Sequence, residues 1–154
     1  MGAKLNIDEI DLKLMQKLMS NADASYAEIG EELFVSPGTI HVRLKKLTEM
    51  GIIKNKKYEI DLKKIGFDIV AFVGVYLEKS SMYDQVVKQI QKLPQVIRLN
   101  YTTGNYSMFI ELSCRNIDDL KDILHDKLQK INGIERTETF ISLEESFNRA
   151  PIIS

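Results

Sequence analysis

The chain has no tryptophan, one cysteine, three prolines and two histidines among its 154 residues. Each scarcity excludes something. The lone Cys114 cannot close an intrachain disulfide, so stability must come from packed apolar side chains, which suits a reducing compartment. It lies in an apolar, strand-like stretch and reads as a buried, inert thiol rather than a nucleophile. His41 and His125 fall in separate halves of the chain, and no Cys/His spacing suited to a metal is present. Glycine-rich phosphate loops and nucleophile elbows are missing as well. No apolar run approaches the roughly 20 residues of a membrane span, and the N-terminus lacks a signal-peptide hydrophobic region. These absences predict a cytoplasmic protein with no membrane partner, not an enzyme, without metal or cofactor. Asp118, Asp122 and Asp126 recur every four residues and can present a stripe to a hard cation. Lys121 and Lys127 beside them make a solvated helix face the simpler reading.

What is present is an ordinary globular composition, 44% hydrophobic and 28% charged with a net charge of −1, long enough for one large or two small domains. The pattern favours two. A first helix from about Asp8 to Ser20 carries Ile10, Leu14 and Leu18 on one stripe. Ser25 and Glu28 form a capping box, in which each side chain satisfies an unpaired backbone N–H at a helix start. This predicts a helix from Tyr26 to Leu33 or Phe34. Ser36 is a natural N-cap and Pro37 fits the first helical position, where its missing N–H costs nothing. A third helix then runs to about Met50, with Gly51 as a left-handed stop. Ile40, Leu44 and Leu47 form its inward stripe.

Charge divides this region. From Asp8 to Val35 there are two lysines against seven carboxylates, and from Ser36 to Lys57 six basic residues against Glu49 alone. A local cationic excess on the second helix of a tight helical hairpin is what a DNA-reading helix-turn-helix requires, because neutralised phosphates release counterions. Residues 1–53 therefore read as a DNA-binding domain. Residues 54–66 follow as a basic linker, which can also form a small wing.

Beyond Gly66 the periodicity changes. Ile69 to Glu78 reads as a strand, Ser81 to Leu93 as an amphipathic helix stopped by Pro94, and Val96 to Thr103 and Tyr106 to Cys114 as strands joined by a two-residue turn at Gly104-Asn105. Asn116 caps a helix with Ile117, Leu120, Ile123, Leu124, Leu128 and Ile131 on one stripe, and Arg136 to Leu143 is a fourth strand. The order βαββαβ over residues 67–154 is ferredoxin-like, so the chain is α+β: a winged-helix-like N-terminal domain followed by an antiparallel sheet with two helices on one face. The first strand is apolar on both faces, with Ala71, Val73, Val75 and Leu77 on one and Val70, Phe72 and Tyr76 on the other. A half-exposed antiparallel strand should alternate with polar residues. A second copy of the sheet is the economical cover, which predicts a homodimer, and a two-fold pair of helix-turn-helix units suits a symmetric operator.

A helix-turn-helix, a basic linker and a βαββαβ domain in this order resemble the Lrp/AsnC (feast/famine) family of transcription regulators over nearly the whole chain. The most specific pieces are Ile7-Asp-Glu-Ile-Asp-Leu12, the run from Ser36 to Leu47, Gly51-Ile-Ile53 and Tyr101-Thr-Thr-Gly-Asn-Tyr-Ser107. The second and fourth of these are similar to the asparagine-responsive branch. The resemblance implies a sequence-specific regulator of transcription that binds double-stranded DNA, responds to an amino-acid effector and assembles from dimers into octamers. It places the effector between dimers, near the loop joining the second and third strands.

On these grounds the DNA-contacting candidates are Ser36, Pro37, Gly38, Thr39, His41, Arg43, Lys45 and Lys46. Ser36 and the N–H groups after it can hold a phosphate, Thr39 can meet a base edge, and Arg43 can fork onto guanine or pair with phosphate. His41 reads equally as a DNA contact or a solvated imidazole. Lys45 and Lys46 suit the phosphate backbone, and loss of Lys46 should lower the salt slope by about one. The effector candidates are Thr102, Thr103, Gly104, Asn105, Tyr106 and Ser107, whose N–H and hydroxyl groups can receive a carboxylate, with Thr137, Glu138 and Thr139 on the last strand and Glu138 foremost for an ammonium. From residue types alone Gly104-Asn105 is also simply a turn. Two other functions fit the same motifs: an architectural DNA-organising protein without a small-molecule response, and a sensing module whose helical hairpin docks protein.

Overall fold

The computed structural model describes residues 6–153. The chain divides into two units, one comprising Met1–Glu59 with Phe147–Ser154 and the other Ile60–Ser146.

The first unit is built on three helices: α1 (Glu9–Ser20), α2 (Tyr26–Glu32) and α3 (Pro37–Glu49). Each starts on a side-chain cap. Asp8 and Asp11 form a capping box on α1, Ser25 and Glu28 one on α2, and Ser36 Oγ accepts from the Thr39 N–H on α3. Leu14, Ile29, Ile40 and Leu47 are fully buried where the helices meet, each worth roughly 1.5–3 kcal/mol over exposure. Leu44, expected on the same stripe, is only half-buried. No strand forms over 54–60, so this segment is an irregular linker rather than a wing. The segment from Phe147 groups with the helical unit rather than with the sheet, and the Ile153 N–H donates to Gln16 Oε1 at 2.9 Å.

The turn between α2 and α3 fixes how the third helix is presented. A Cβ on Gly30 would lie 2.6 Å from the Val35 carbonyl oxygen and 3.3 Å from the Pro37 nitrogen. The chain therefore crosses directly over α2 at a point where no side chain fits. Val35 N–H closes the crossing on the Gly30 carbonyl at 2.9 Å. Phe34 takes a left-handed φ of 57° there and is 95% exposed, a conformation that costs a non-glycine residue about 1–2 kcal/mol.

The second unit is a four-stranded antiparallel sheet of β1 (Ile69–Leu77), β2 (Val96–Tyr101), β3 (Met108–Cys114) and β4 (Ile134–Ile141), in the order β2-β3-β1-β4. α4 (Tyr83–Ile90) and α5 (Ile117–Asp122) complete the βαββαβ order. α5 continues through a π-helical segment, Ile123–Lys127, and a 3-10 turn, Leu128–Lys130. The single apolar stripe expected along it is therefore interrupted: Leu120, Ile123 and Leu128 are buried, whereas Ile117 is 55% exposed. Ala71, Val73, Val75 and Leu77 face the helices with Met108, Ile110 and Leu112 of β3. Cys114 is buried among them, and desolvation pushes its thiol up to about 11.

The two-residue turn expected at Gly104-Asn105 is not what forms. Tyr101 pairs with Met108, which leaves a loop from residue 102 to 107. Among the described residues no group of three or more His, Cys, Asp or Glu is arranged to hold a metal, and Asp126 of the acidic run pairs with Lys130 at 3.0 Å. No helix there is long and apolar enough to cross a membrane.

Gly30→Ala should drive the turn backbone off α2 and lower stability by about 2 kcal/mol, measured as a shift in the urea midpoint at unchanged slope. A variant as stable as the parent would show that the turn yields without cost.

Candidate DNA-reading face and effector loop

One face of α3 is held by its own domain. Asp11 has no exposed surface. Its Oδ1 accepts from Arg43 Nη1 at 2.7 Å, and its Oδ2 from Lys46 Nζ and the Asp8 N–H, both at 3.2 Å. Arg43 Nη1 also reaches both Asp8 carboxylate oxygens at 2.7 Å, and Lys46 Nζ donates to the Asn6 carbonyl at 2.6 Å. Burial pushes the Asp11 carboxyl up, but the hydrogen bonds from Arg43, Asp8 and Lys46 outweigh it and hold it below its ordinary 3.8. Asp8 lies low as well, chiefly through its hydrogen bond from Arg43, whose own pKa is raised by the two carboxylates.

Two of the candidates are engaged inside the domain. Arg43 and Lys46, expected to meet guanine or phosphate, here pair with carboxylates of α1 and its cap. Lys56 is likewise paired with Asp23. Three of the six cations that made the segment after Ser36 look basic are therefore matched internally. Lys54 and Lys57 enter no ion pair among the described residues, and Lys45 touches Glu49 only at 3.9 Å.

The outward face of α3 carries Gly38, His41, Val42 and Lys45. His41 lies beside Tyr26 of α2, ring centroids 5.7 Å apart. At the helix start Pro37 has no N–H, the Thr39 N–H is taken by Ser36 Oγ and the Ile40 N–H by the Ser36 carbonyl. Gly38 alone offers an unclaimed N–H in the first turn. The Ser36 and Thr39 hydroxyls sit 2.9 Å apart and bond to each other. Val42, 65% exposed, escaped the sequence reading because an apolar residue in a helix is first assigned to the core. Its exposure between Arg43, which faces α1, and His41 could have been found only by fixing the helix phase.

In the second unit the loop from 102 to 107 folds onto the sheet face away from the helices. Tyr106 lies across Gly74, where a Cβ would fall 2.4 Å from the ring. Its hydroxyl donates to Glu138 Oε2 at 2.8 Å, while Tyr76 donates to Oε1 at 3.1 Å. Arg136 sits over the Tyr76 ring at 3.8 Å and reaches Glu138 Oε1 at 3.3 Å. The Tyr106 and Tyr76 hydrogen bonds hold the Glu138 carboxyl below its usual range; the same contacts and desolvation raise both phenols.

Glu138 therefore anchors the loop, and an ammonium would have to share oxygens already in use. Thr102 Oγ1 is spent on the Tyr106 carbonyl at 2.9 Å, and Ser107 Oγ accepts from the Leu77 N–H at 3.4 Å. Thr103, Gly104 and Asn105 are exposed at the tip, Gly104 with φ 97°. Thr137 and Thr139 pair with Val75 and Val73, which face the helices, and so lie on the opposite sheet face from Glu138 and Tyr106. Sequence alternation grouped the three; strand register separates them.

Arg43→Ala leaves the buried Asp11 carboxylate one donor short and Asp11→Ala leaves Arg43 with Asp8 alone, so each should cost roughly 1–3 kcal/mol of stability. Both carboxyls titrate lower folded than unfolded. Their contribution should therefore be complete above the unfolded pKa near 3.8 and disappear as pH falls below it toward the folded values. Urea unfolding followed from pH 7 to pH 2.5 measures both; a pH dependence equal in Asp11→Ala and the parent would sink the assignment.

Comparison with known proteins agrees with this architecture in both units. The Lrp/AsnC ligand binding domain matches residues 70–152 and the winged helix-turn-helix DNA-binding domain residues 7–54. The chain is 40% identical to the regulatory protein AsnC of Haemophilus influenzae, covering 94% of this chain and 96% of that one, and 39% identical to AsnC of Escherichia coli over 93% and 94%. The solved structure of Escherichia coli AsnC superposes with a TM-score of 0.89 at 38% identity, covering 94% of this chain and 97% of that one. A transcriptional regulator of Neisseria meningitidis, solved as a complex with L-methionine, shares the fold at 20% identity and a TM-score of 0.88, over 93% and 94%. A capped reading helix and a ferredoxin-like sheet carrying an anchored loop thus coincide with matches that together span nearly the whole chain, which belongs to the Lrp/AsnC family of DNA-binding transcription regulators.

Proposed function

We propose that the chain is a cytoplasmic, homodimeric regulator that reads a two-fold symmetric operator through α3 and changes its DNA affinity when an amino acid binds near the loop from 102 to 107. The observation that carries this reading is the pairing of two unsatisfied surfaces in one chain. The first is the outward face of a 13-residue helix. The second is a sheet face with Phe72 and Phe109 stacked at 6.0 Å and Phe140 49% exposed. A second copy laid on that face buries the aromatic side chains and brings two reading helices into one molecule, as an operator with two half-sites requires.

On the DNA side the contacts are assigned to Ser36, the Gly38 N–H, Thr39, His41 and Lys45, with Lys54 and Lys57 on the phosphate backbone. On the effector side the exposed tip, Thr103, Gly104 and Asn105, supplies N–H groups for a carboxylate. Asparagine is the first amino acid to test, since the relatives at 39–40% identity described above are AsnC proteins. Further assembly of dimers into an octamer is the arrangement in which two such loops meet around one effector.

The reading is tested by gel shift on the DNA upstream of the chain's own coding sequence, across a salt series with and without a panel of amino acids, and by light scattering. The expected results are salt-dependent binding, a shift in affinity with one amino acid, and a dimer or a multiple of it. Binding with little sequence preference and no amino-acid response would instead make this an architectural protein. Lys45→Ala should lower the slope of log affinity against log salt by about one. Lys46→Ala should leave that slope nearly unchanged, because its ammonium is already matched by Asp11.

A further inference from the structure

Two features of the reading face have no use inside the domain. Gly38 sits in the first turn of α3, where its added Cβ would meet only Ser36 Oγ, at an ordinary 3.8 Å. Its φ is not left-handed, so neither backbone conformation nor packing calls for glycine, which is among the poorest helix formers. One turn later stands Val42, 65% exposed and outside the unit's hydrophobic cluster, although β-branched side chains are disfavoured on helices. Residues four apart lie on the same stripe, so the space beside Gly38 opens directly next to the valine methyls.

The neighbours of this stripe restrict what it can recognise. Arg43 and Lys46 are held by Asp8 and Asp11, and the Thr39 hydroxyl is bonded to Ser36. Hydrogen-bonding readout near the helix start is thus largely occupied, and Val42 presents an apolar surface instead. Base edges in the major groove offer donors, acceptors and one apolar group, the C5-methyl of thymine.

We propose that Val42 and the gap left by Gly38 form an apolar notch that receives a thymine methyl, making Val42 a determinant of operator sequence. The inference rests on α3 entering the major groove. Glycine then lets the base edge approach the helix backbone, and valine supplies the contact.

The test uses the full chain and a duplex that it selects from a randomised library, with each thymine replaced in turn by deoxyuridine, which lacks only the methyl. The parent should lose about fourfold in affinity at one thymine in each half-site, the worth of one buried methyl group. Val42→Ala should bind the thymine and uracil duplexes equally. Gly38→Ala should melt at a higher temperature, by helix propensity, yet also lose the discrimination because its Cβ fills the notch. A duplex bound tightly with no uracil-sensitive position, or discrimination intact in Val42→Ala, overturns the notch while leaving DNA binding itself in place. Discrimination intact in Gly38→Ala with a raised melting temperature overturns the part assigned to the gap.

Discussion

The buried carboxylate of Asp11 is the constraint on which the helical unit depends. A carboxylate without solvent is tolerated only when its lone pairs are matched by donors, and here an arginine, a lysine and a backbone N–H supply them. Two of those donors come from α3, so the demand of one buried charge sets the rotation and the distance of the third helix against the first. Asp8 completes the arrangement by capping α1 and accepting from Arg43 at the same time. Orientation of the reading face is thus an electrostatic consequence of where α1 begins, supported by four fully buried apolar side chains among the described residues.

That constraint also reallocates charge. Cations on a helix near DNA are ordinarily assigned to phosphate, yet Arg43 and Lys46 are matched inside the domain and Lys56 is matched by Asp23. What faces outward is less charged and more shaped: a glycine, a histidine, a valine and a single lysine. The crossing at Gly30 has the same character, since it brings Ser36 and Pro37 to the α3 start by removing a side chain.

The sheet repeats the device. Gly74, in the middle of the central strand β1, removes a side chain so that Tyr106 can lie flat across it and reach Glu138. One residue without a Cβ thereby ties the loop from 102 to 107 to the face that the aromatic residues leave uncovered. The Tyr106, Tyr76, Glu138 and Arg136 cluster thus joins the base of the loop to that face.

Much of this was legible in the residues themselves. Helix starts at Ser25 and Ser36, the βαββαβ order, the two apolar faces of β1 and the burial of Cys114 follow from capping chemistry and periodicity, which act over three or four neighbours and are written locally. Other features depend on long-range contacts. Arg43 and Lys46 looked available because their partners lie 32 or more residues away, and Gly104-Asn105 looked like a tight turn because nothing local reveals that Tyr106 is drawn across Gly74. Thr137 and Thr139 were grouped with Glu138 by composition and parted from it by strand register. The sequence by itself determined which elements form and which family the chain resembles, because those depend on short-range pattern. Only the tertiary structure decided which charges are paired, which face of α3 is left exposed and what Glu138 holds, because each depends on a partner that folding brings from a distant part of the chain.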